Sequence, residues 1–249
     1  MSSKLCTRTD LHCFLSSIEA STGDFLTVHV TPDSFPEYID SLQPAGKFAD
    51  HAAELKQAAK TDEVVDNAAR YGTGAAIFWS GTDKHIVLPA FPIIVNRKAE
   101  GEPDVSVLRS VVDRKYVLGV VMVTWGWYAL GMFDGDNLVE LKTGTGYIHK
   151  EHKKGGWSQK RFARRTEEQK KDFLRRVGNR IEERFAGYLP DHIFFGGNKL
   201  ILKPLIEESR YLHTRTDKIL PRIINARYAN REALSRSLAE INKSLVITF

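Results

Sequence analysis

Two hydrophobic patterns alternate along the chain. Short apolar runs bounded by turn residues predict strands, and apolar residues recurring every four positions predict helices with one buried face. In the first hundred residues a short helix is expected around Leu11 to Ala20, followed by a strand over Phe25-Leu26-Thr27-Val28-His29-Val30 that Pro32 and Pro36 end. The Ala-rich stretch from Phe48 to Arg70 favours helix, stopped by Gly72-Thr73-Gly74. Ala75 to Trp79 and His85 to Leu88 read as strands around the turn Ser80-Gly81-Thr82-Asp83. Residues 96–106 are polar, hold Gly101 and Pro103, and read as a linker.

The second half is more regular. Tyr116 to Thr124 is a continuous apolar run of the kind found in a central strand. Trp127 to Phe133 and Leu138 to Lys142 follow as strands about the hairpin turn Asp134-Gly135-Asp136-Asn137. Phe173, Val177, Ile181 and Phe185 then recur at helical spacing with Leu174 beside them, which predicts a long helix with a basic outer face. Its start is open: Thr166-Glu167-Glu168-Gln169 could form a capping box, and Ser158 could cap a helix that begins earlier. A strand at His192 to Phe195, a helix from Pro204 to Tyr211, a strand at Arg222 to Asn225 and a helix from Arg231 to Lys243 complete the order βββαβαβα. That order predicts an α/β sandwich in which helices cover a mixed sheet.

The charge is unevenly placed. Between Lys150 and Arg184 thirteen basic residues face six acidic ones, an excess larger than the +5 of all 249 residues, so the rest of the chain is slightly acidic. Such polarisation suits a polyanion, although a charged helix can also be a solvated face. No apolar run reaches the length of a membrane span and the N-terminus lacks the features of a secretory signal, so a cytoplasmic protein without a membrane role is expected. Cys6 and Cys13 flank His12 without a second Cys/His pair, which fits ordinary thiols rather than a zinc site.

The chemistry concentrates in residues 149–165, His-Lys-Glu-His-Lys-Lys-Gly-Gly-Trp-Ser-Gln-Lys-Arg-Phe-Ala-Arg-Arg. Gly155 and Gly156 allow the backbone to approach a ligand closely; a tight turn is the plainer reading. Gln159 cannot act as a base near neutrality, but its amide can orient water or a leaving hydroxyl by donating and accepting hydrogen bonds. Trp157 must pack on the protein or on a nucleobase. Lys153, Lys154, Lys160, Arg161, Arg164 and Arg165 would neutralise phosphates, with Arg161 and Arg165 one helical turn apart.

These residues resemble the middle domain of class-one release factors of the eukaryotic and archaeal type, in which a Gly-Gly-Gln loop opens a long helix beginning with Arg-Phe. Here Gly155-Gly156 and Arg161-Phe162 keep that spacing. Tyr116 to Thr124, Gly131 to Lys142, Phe173 to Val177 and Phe194-Phe195-Gly196-Gly197 resemble its first strand, hairpin, helix body and glycine-rich strand end. The resemblance covers about 110 to 249, with a weaker echo of the release-factor N-terminal domain at Ala75 to Val95. Trp157 takes the usual Gln place and Gln159 stands two residues on, up to about 7 Å away if the chain is extended. A Gln set back from the glycines is similar to the Vms-like release factors of ribosome quality control. Residues 1 to 110 contain no Asn-Ile-Lys-Ser decoding element, and the chain stops where the middle domain ends, so stop-codon reading and recruitment of a partner GTPase are not expected.

The resemblance implies an α/β fold: a mixed-sheet, ribonuclease-H-like release-factor middle domain over 107–249, preceded by a smaller α+β N-terminal domain over 1–106. It also implies a codon-independent peptidyl-tRNA hydrolase acting in ribosome rescue. Gly155, Gly156 and Gln159 would be catalytic; Lys153, Lys154, Trp157, Lys160, Arg161, Arg164 and Arg165 would bind RNA. The expected partners are the large ribosomal subunit, its rRNA and the acceptor end of peptidyl-tRNA, met by a monomer that binds no DNA and needs no metal or cofactor. One alternative is a non-catalytic ribosome-binding adaptor, favoured by Trp157. Another is a nuclease metal held by Asp113, Asp134 and Asp136, although the last two are accounted for by turn chemistry.

Overall fold

The structure, a computed structural model, describes residues 1–44, 46–148 and 157–249, with backbone alone for 157–160 and 162. The chain begins with β1 (Ser2–Cys6), α1 (Arg8–Glu19), β2 (Phe25–Val30), α2 (Glu37–Asp40), α3 (Phe48–Ala58) and α4 (Asp62–Tyr71). It continues with β3 (Ala75–Trp79), β4 (Lys84–Leu88), β5 (Arg97–Gly101) and α5 (Ser106–Asp113). Then come β6 (Val117–Thr124), β7 (Trp127–Asp134), β8 (Asn137–Thr145), α6 (Trp157–Phe185) and β9 (His192–Gly197). Last are α7 (Lys199–Glu208), α8 (Arg210–His213), β10 (Ile219–Ile224), α9 (Arg231–Ile241) and β11 (Ser244–Thr248). Two compact units result, one of residues 1–114 with 239–249, the other of 115–238.

The first unit is built on an antiparallel sheet of order β1-β11-β4-β3-β2-β5. Leu26, Val28 and Val30 alternate along β2 and bury against Ile77, Trp79 and Ile86 of the neighbouring strands and Leu55 and Val64 of the helices. The Ala-rich stretch is two helices, not one. Thr61 turns extended, its hydroxyl donates to the Ala58 carbonyl at 2.8 Å, and Asp62 and Glu63 open the next helix at its positive end. Gly72, at φ 61°, ends α4 in the left-handed conformation.

The linker expected over 96–106 is instead the edge strand β5, paired along its length with β2, and the start of α5. An edge strand with one solvated face carries the Arg97-Lys98-Ala99-Glu100 composition that also marks linkers, which is why composition misleads here. The division between units falls after α5 rather than before it, and the final residues return as β11 between β1 and β4.

The second unit carries a mixed sheet of order β10-β9-β6-β7-β8, in which β9 lies parallel to both β6 and β10 while β6, β7 and β8 form an antiparallel meander. Asp134 pairs with Asn137 across a two-residue turn with Gly135 at φ 56°, the hairpin expected from the sequence. Phe173, Val177, Ile181 and Phe185 of α6 are essentially inaccessible and pack on Val121, Val123, Leu130 and Met132. At about 1.5–3 kcal/mol for each large apolar side chain removed from water, that stripe fixes the helix on the sheet.

Because α6 is helical from Trp157, Thr166 lies inside it, buried at 3% exposure, and the capping box at Thr166 does not form. Ser158 lies one residue inside the helix rather than ahead of it. The helix expected from Pro204 begins earlier, at Lys199, where the Asn198 side chain accepts from the Leu200 N–H at 3.0 Å; Pro204 sits within it.

Gly178 is the close-approach point of α6. A Cβ there would stand 2.6 Å from the Glu208 carbonyl oxygen at the end of α7, a backbone atom with little room to retreat. Gly178→Ala is therefore expected to destabilise the second unit by about 1–3 kcal/mol through overpacking. Urea denaturation checks this, and a midpoint equal to the parent's would show that the two helices part freely.

Candidate functional site

Lys153, Lys154, Gly155 and Gly156 lie outside the described residues. Trp157, Gln159 and Lys160 belong to the first turn of α6. This placement changes the geometry expected for Gln159. In a helix two residues advance about 3 Å along the axis, not about 7 Å, and turn by about 200°. Position 159 is thus only slightly farther along than position 157, but on the opposite side of the helix axis.

Arg161, Arg164 and Arg165 follow on the exposed part of the same helix. Arg164 donates to Glu168 at 3.0 Å, one turn on. Farther along, Lys170 pairs with Glu167 at 2.7 Å, Arg175 with Asp172 at 2.9 Å, and Arg180 with Glu183. The acids of α6 therefore partly neutralise its middle and end, while the stretch 157–165 holds Lys160, Arg161, Arg164 and Arg165 and no acid. Cations at this end oppose the helix dipole, which favours acids in the first turn. The dipole therefore does not account for that arrangement.

Of the carboxylates considered for a metal, Asp113 belongs to the first unit, where its Oδ1 lies 3.2 Å from His12 Nε2; in the second, Asp134 ends β7 and Asp136 lies in the two-residue turn that follows. Among the described residues no three His, Cys, Asp or Glu side chains are grouped to hold an ion. Cys6 is buried and Cys13 exposed, both as free thiols. No described helix is long and apolar enough to cross a membrane.

Sequence reasoning missed one concave feature of the second unit, between β8 and α6. Arg176 and Arg180 were legible only as members of the basic run, and Lys142 only as the end of a strand. What gathers them is the bare backbone of Gly144 and Gly146, where a Cβ would stand 2.3 Å from the Tyr128 ring and 2.5 Å from that of Phe173.

Comparison with known proteins places this architecture. Residues 116–246 match the family model described as the Actinobacteria/chloroflexi VLRF1 release factor. The chain is similar to peptide chain release factor subunit 1 of Aeropyrum pernix, 27% identical over 142 residues that make up 55% of this chain and 38% of that protein. It is also similar to the protein of that name from Methanosphaera stadtmanae, 32% identical over 81 residues, 32% of this chain and 20% of that one. The matched part thus spans well under half the length of these relatives. A crystal structure of the archaeal translation termination factor aRF1 aligns over 95% of this chain and 70% of its own, with 15% identity and a TM-score of 0.41. Since the family match covers more than half of the chain, including the helix with its basic start, the chain belongs to the VLRF1 release factor family and is a release-factor-like translation protein.

Proposed function

We propose that the protein is a codon-independent peptidyl-tRNA hydrolase that frees stalled nascent chains on the large ribosomal subunit, in the cytoplasm. The observation that carries this reading is a Gly155-Gly156 pair leading straight into a helix with Gln159 in its first turn, within a chain of the release-factor family. The water oxygen attacks the ester carbonyl between the peptide and the terminal ribose. The bond from that carbon to the ribose oxygen breaks, one water proton passes to the departing oxygen, the other is lost to solvent, and the peptide leaves as a carboxylate. Gly155 and Gly156 let the backbone approach, a backbone N–H stabilises the developing oxyanion, and the Gln159 amide positions the water or the ribose hydroxyl. Lys153, Lys154, Lys160, Arg161, Arg164 and Arg165 hold rRNA or tRNA phosphates, with Trp157 available for stacking.

The test is peptide release from isolated stalled large subunits incubated with the purified protein; subunits that bind it but keep their peptidyl-tRNA would overturn the reading. That outcome is the one expected of a non-catalytic ribosome-binding adaptor, which Trp157 at the usual Gln position favours. Charge reversal of Arg161 and Arg165 to Glu is expected to weaken subunit binding and lower its salt dependence, each phosphate contact contributing a slope of about 0.7–0.9. Sedimentation with large subunits across a salt titration measures this, and overlapping curves would refute it.

A further inference from the structure

The cleft between β8 and α6 has a volume of about 490 Å³ and lies wholly within the second unit. One wall is β8, where Lys142 and Gly144 face α6 while the side chains of Thr143 and Thr145 turn to the other side of the sheet; the other wall carries Arg176, Asn179 and Arg180 of α6. The rings of Tyr128 and Phe173 complete its lining, and no carboxylate lines it among the described residues. Glu183 pairs with Arg180, lies 3.7 Å from Arg184 and is also influenced by Lys142, so one carboxylate is shared among three cations and the cleft keeps a net positive charge. The site is built by the fold: Gly144 and Gly146 bring β8 down onto Tyr128 and Phe173, and Phe173 is buried in the core that fixes α6.

We propose that this cleft binds the sugar-phosphate backbone of RNA, with Lys142, Arg176 and Arg180 on phosphate oxygens and Asn179 on a ribose hydroxyl. Guanidinium groups suit phosphate because their N–H donors match adjacent oxygens, and an amide group can both donate to and accept from a ribose 2′-OH. The choice of RNA as the polyanion rests on the proposed ribosomal function. The cleft supplies a second anchoring point, away from the first turn of α6, that orients the helix on its target. Its residues hold no reacting atom.

The test uses the full chain and a short fluorescein-labelled RNA hairpin ending in single-stranded CCA, with anisotropy measured at several salt concentrations. Lys142→Ala combined with Arg176→Ala is expected to weaken binding about 10-fold at low salt and to reduce the salt slope by about 2. Arg175→Ala, which removes an exposed cation paired with Asp172 outside the cleft, should bind nearly as the parent does. Arg176 is exposed and Lys142 partly so, and unchanged thermal midpoints would verify that the fold persists. Parental affinity and slope in the double variant, or an equal loss in Arg175→Ala, overturns the cleft. A DNA hairpin of the same sequence bound as tightly as the RNA overturns the ribose contact. Loss of RNA binding in the cleft variant, in a protein that releases no peptide, would support the cleft and sink the hydrolase reading instead.

Discussion

Gln159→Ala is expected to slow peptide release from stalled large subunits by about 10²-fold or more while leaving subunit binding near the parental value. The magnitude is that of removing one well-placed hydrogen-bonding group from a transition state, and it should fall on the rate at saturating protein rather than on affinity. An amide does not titrate near neutrality, so the variant's pH–rate profile should keep the parent's shape at a lower level. A profile that changes shape would mean that another group had been exchanging the proton. Because residue 159 belongs to a helical turn, its backbone is held by the hydrogen-bonding pattern of α6. Trp157 starts the same turn on the other side of the axis, so Trp157→Ala should act mainly through binding. A Gln159→Ala protein that releases peptide at the parental rate would refute the assignment of Gln159.

The second large effect is on stability. His29 lies in β2 with no accessible surface, its ring edge-on to Phe78, and neither ring nitrogen has a hydrogen-bond partner among the described residues. Burial pushes its pKa down from 6.5 to about 4; Asp104 opposes that shift and Arg97 adds to it. The imidazole is therefore neutral in the fold at pH 7, while the unfolded chain takes up a proton near pH 6.5. Between those values the unfolded state binds more protons, so stability falls as pH is lowered from about 6.5 to about 4, by about 3 kcal/mol in all.

Carboxylates act in a different window. Asp10, Glu54 and Glu183 are held below the usual carboxylate range by hydrogen bonds from Thr7, Lys84 and Arg180, so what they contribute is lost only as pH drops below about 4. His85, also lowered by burial, adds to the histidine window. Urea titrations from pH 7.5 to 4.5 on the parent and His29→Leu separate the two histidines: the variant should lose most of the acid sensitivity and keep the remainder. Parallel stability curves would show that His29 is hydrated or paired in solution.

The second unit was legible because local pattern and tertiary role coincide there. The β6 run is apolar on both faces because it is central, and the Phe173 to Phe185 stripe is buried where its periodicity predicts. The first unit shows the limit of that reasoning. Arg97 to Gly101 is a strand because β2 offers it an unpaired edge, and Ser244 to Thr248 is one because β4 and β1 stand ready on either side. Neither stretch carries its partner's register in its own composition. At the candidate site, the basic start of α6 could be read from residue types alone. The cleft could not, since it depends on Gly144 of β8 and Gly146 just beyond it meeting aromatic rings that are distant in sequence.

The place of β11 has a consequence for biosynthesis. β1 is joined to its sheet through β11, so Ser2–Cys6 await Ser244–Thr248, which are made after β6 to β10. At about 5–20 residues per second, translation leaves β1 unpaired for on the order of ten seconds or more, while β6 to β10 already have what they need to assemble. The second unit can thus reach its native packing first during synthesis, and the sheet that contains β1 closes only once β11 has emerged. Ser2 to Cys6 should accordingly be open to proteases or chaperones before β11 is made and protected once the two strands have paired.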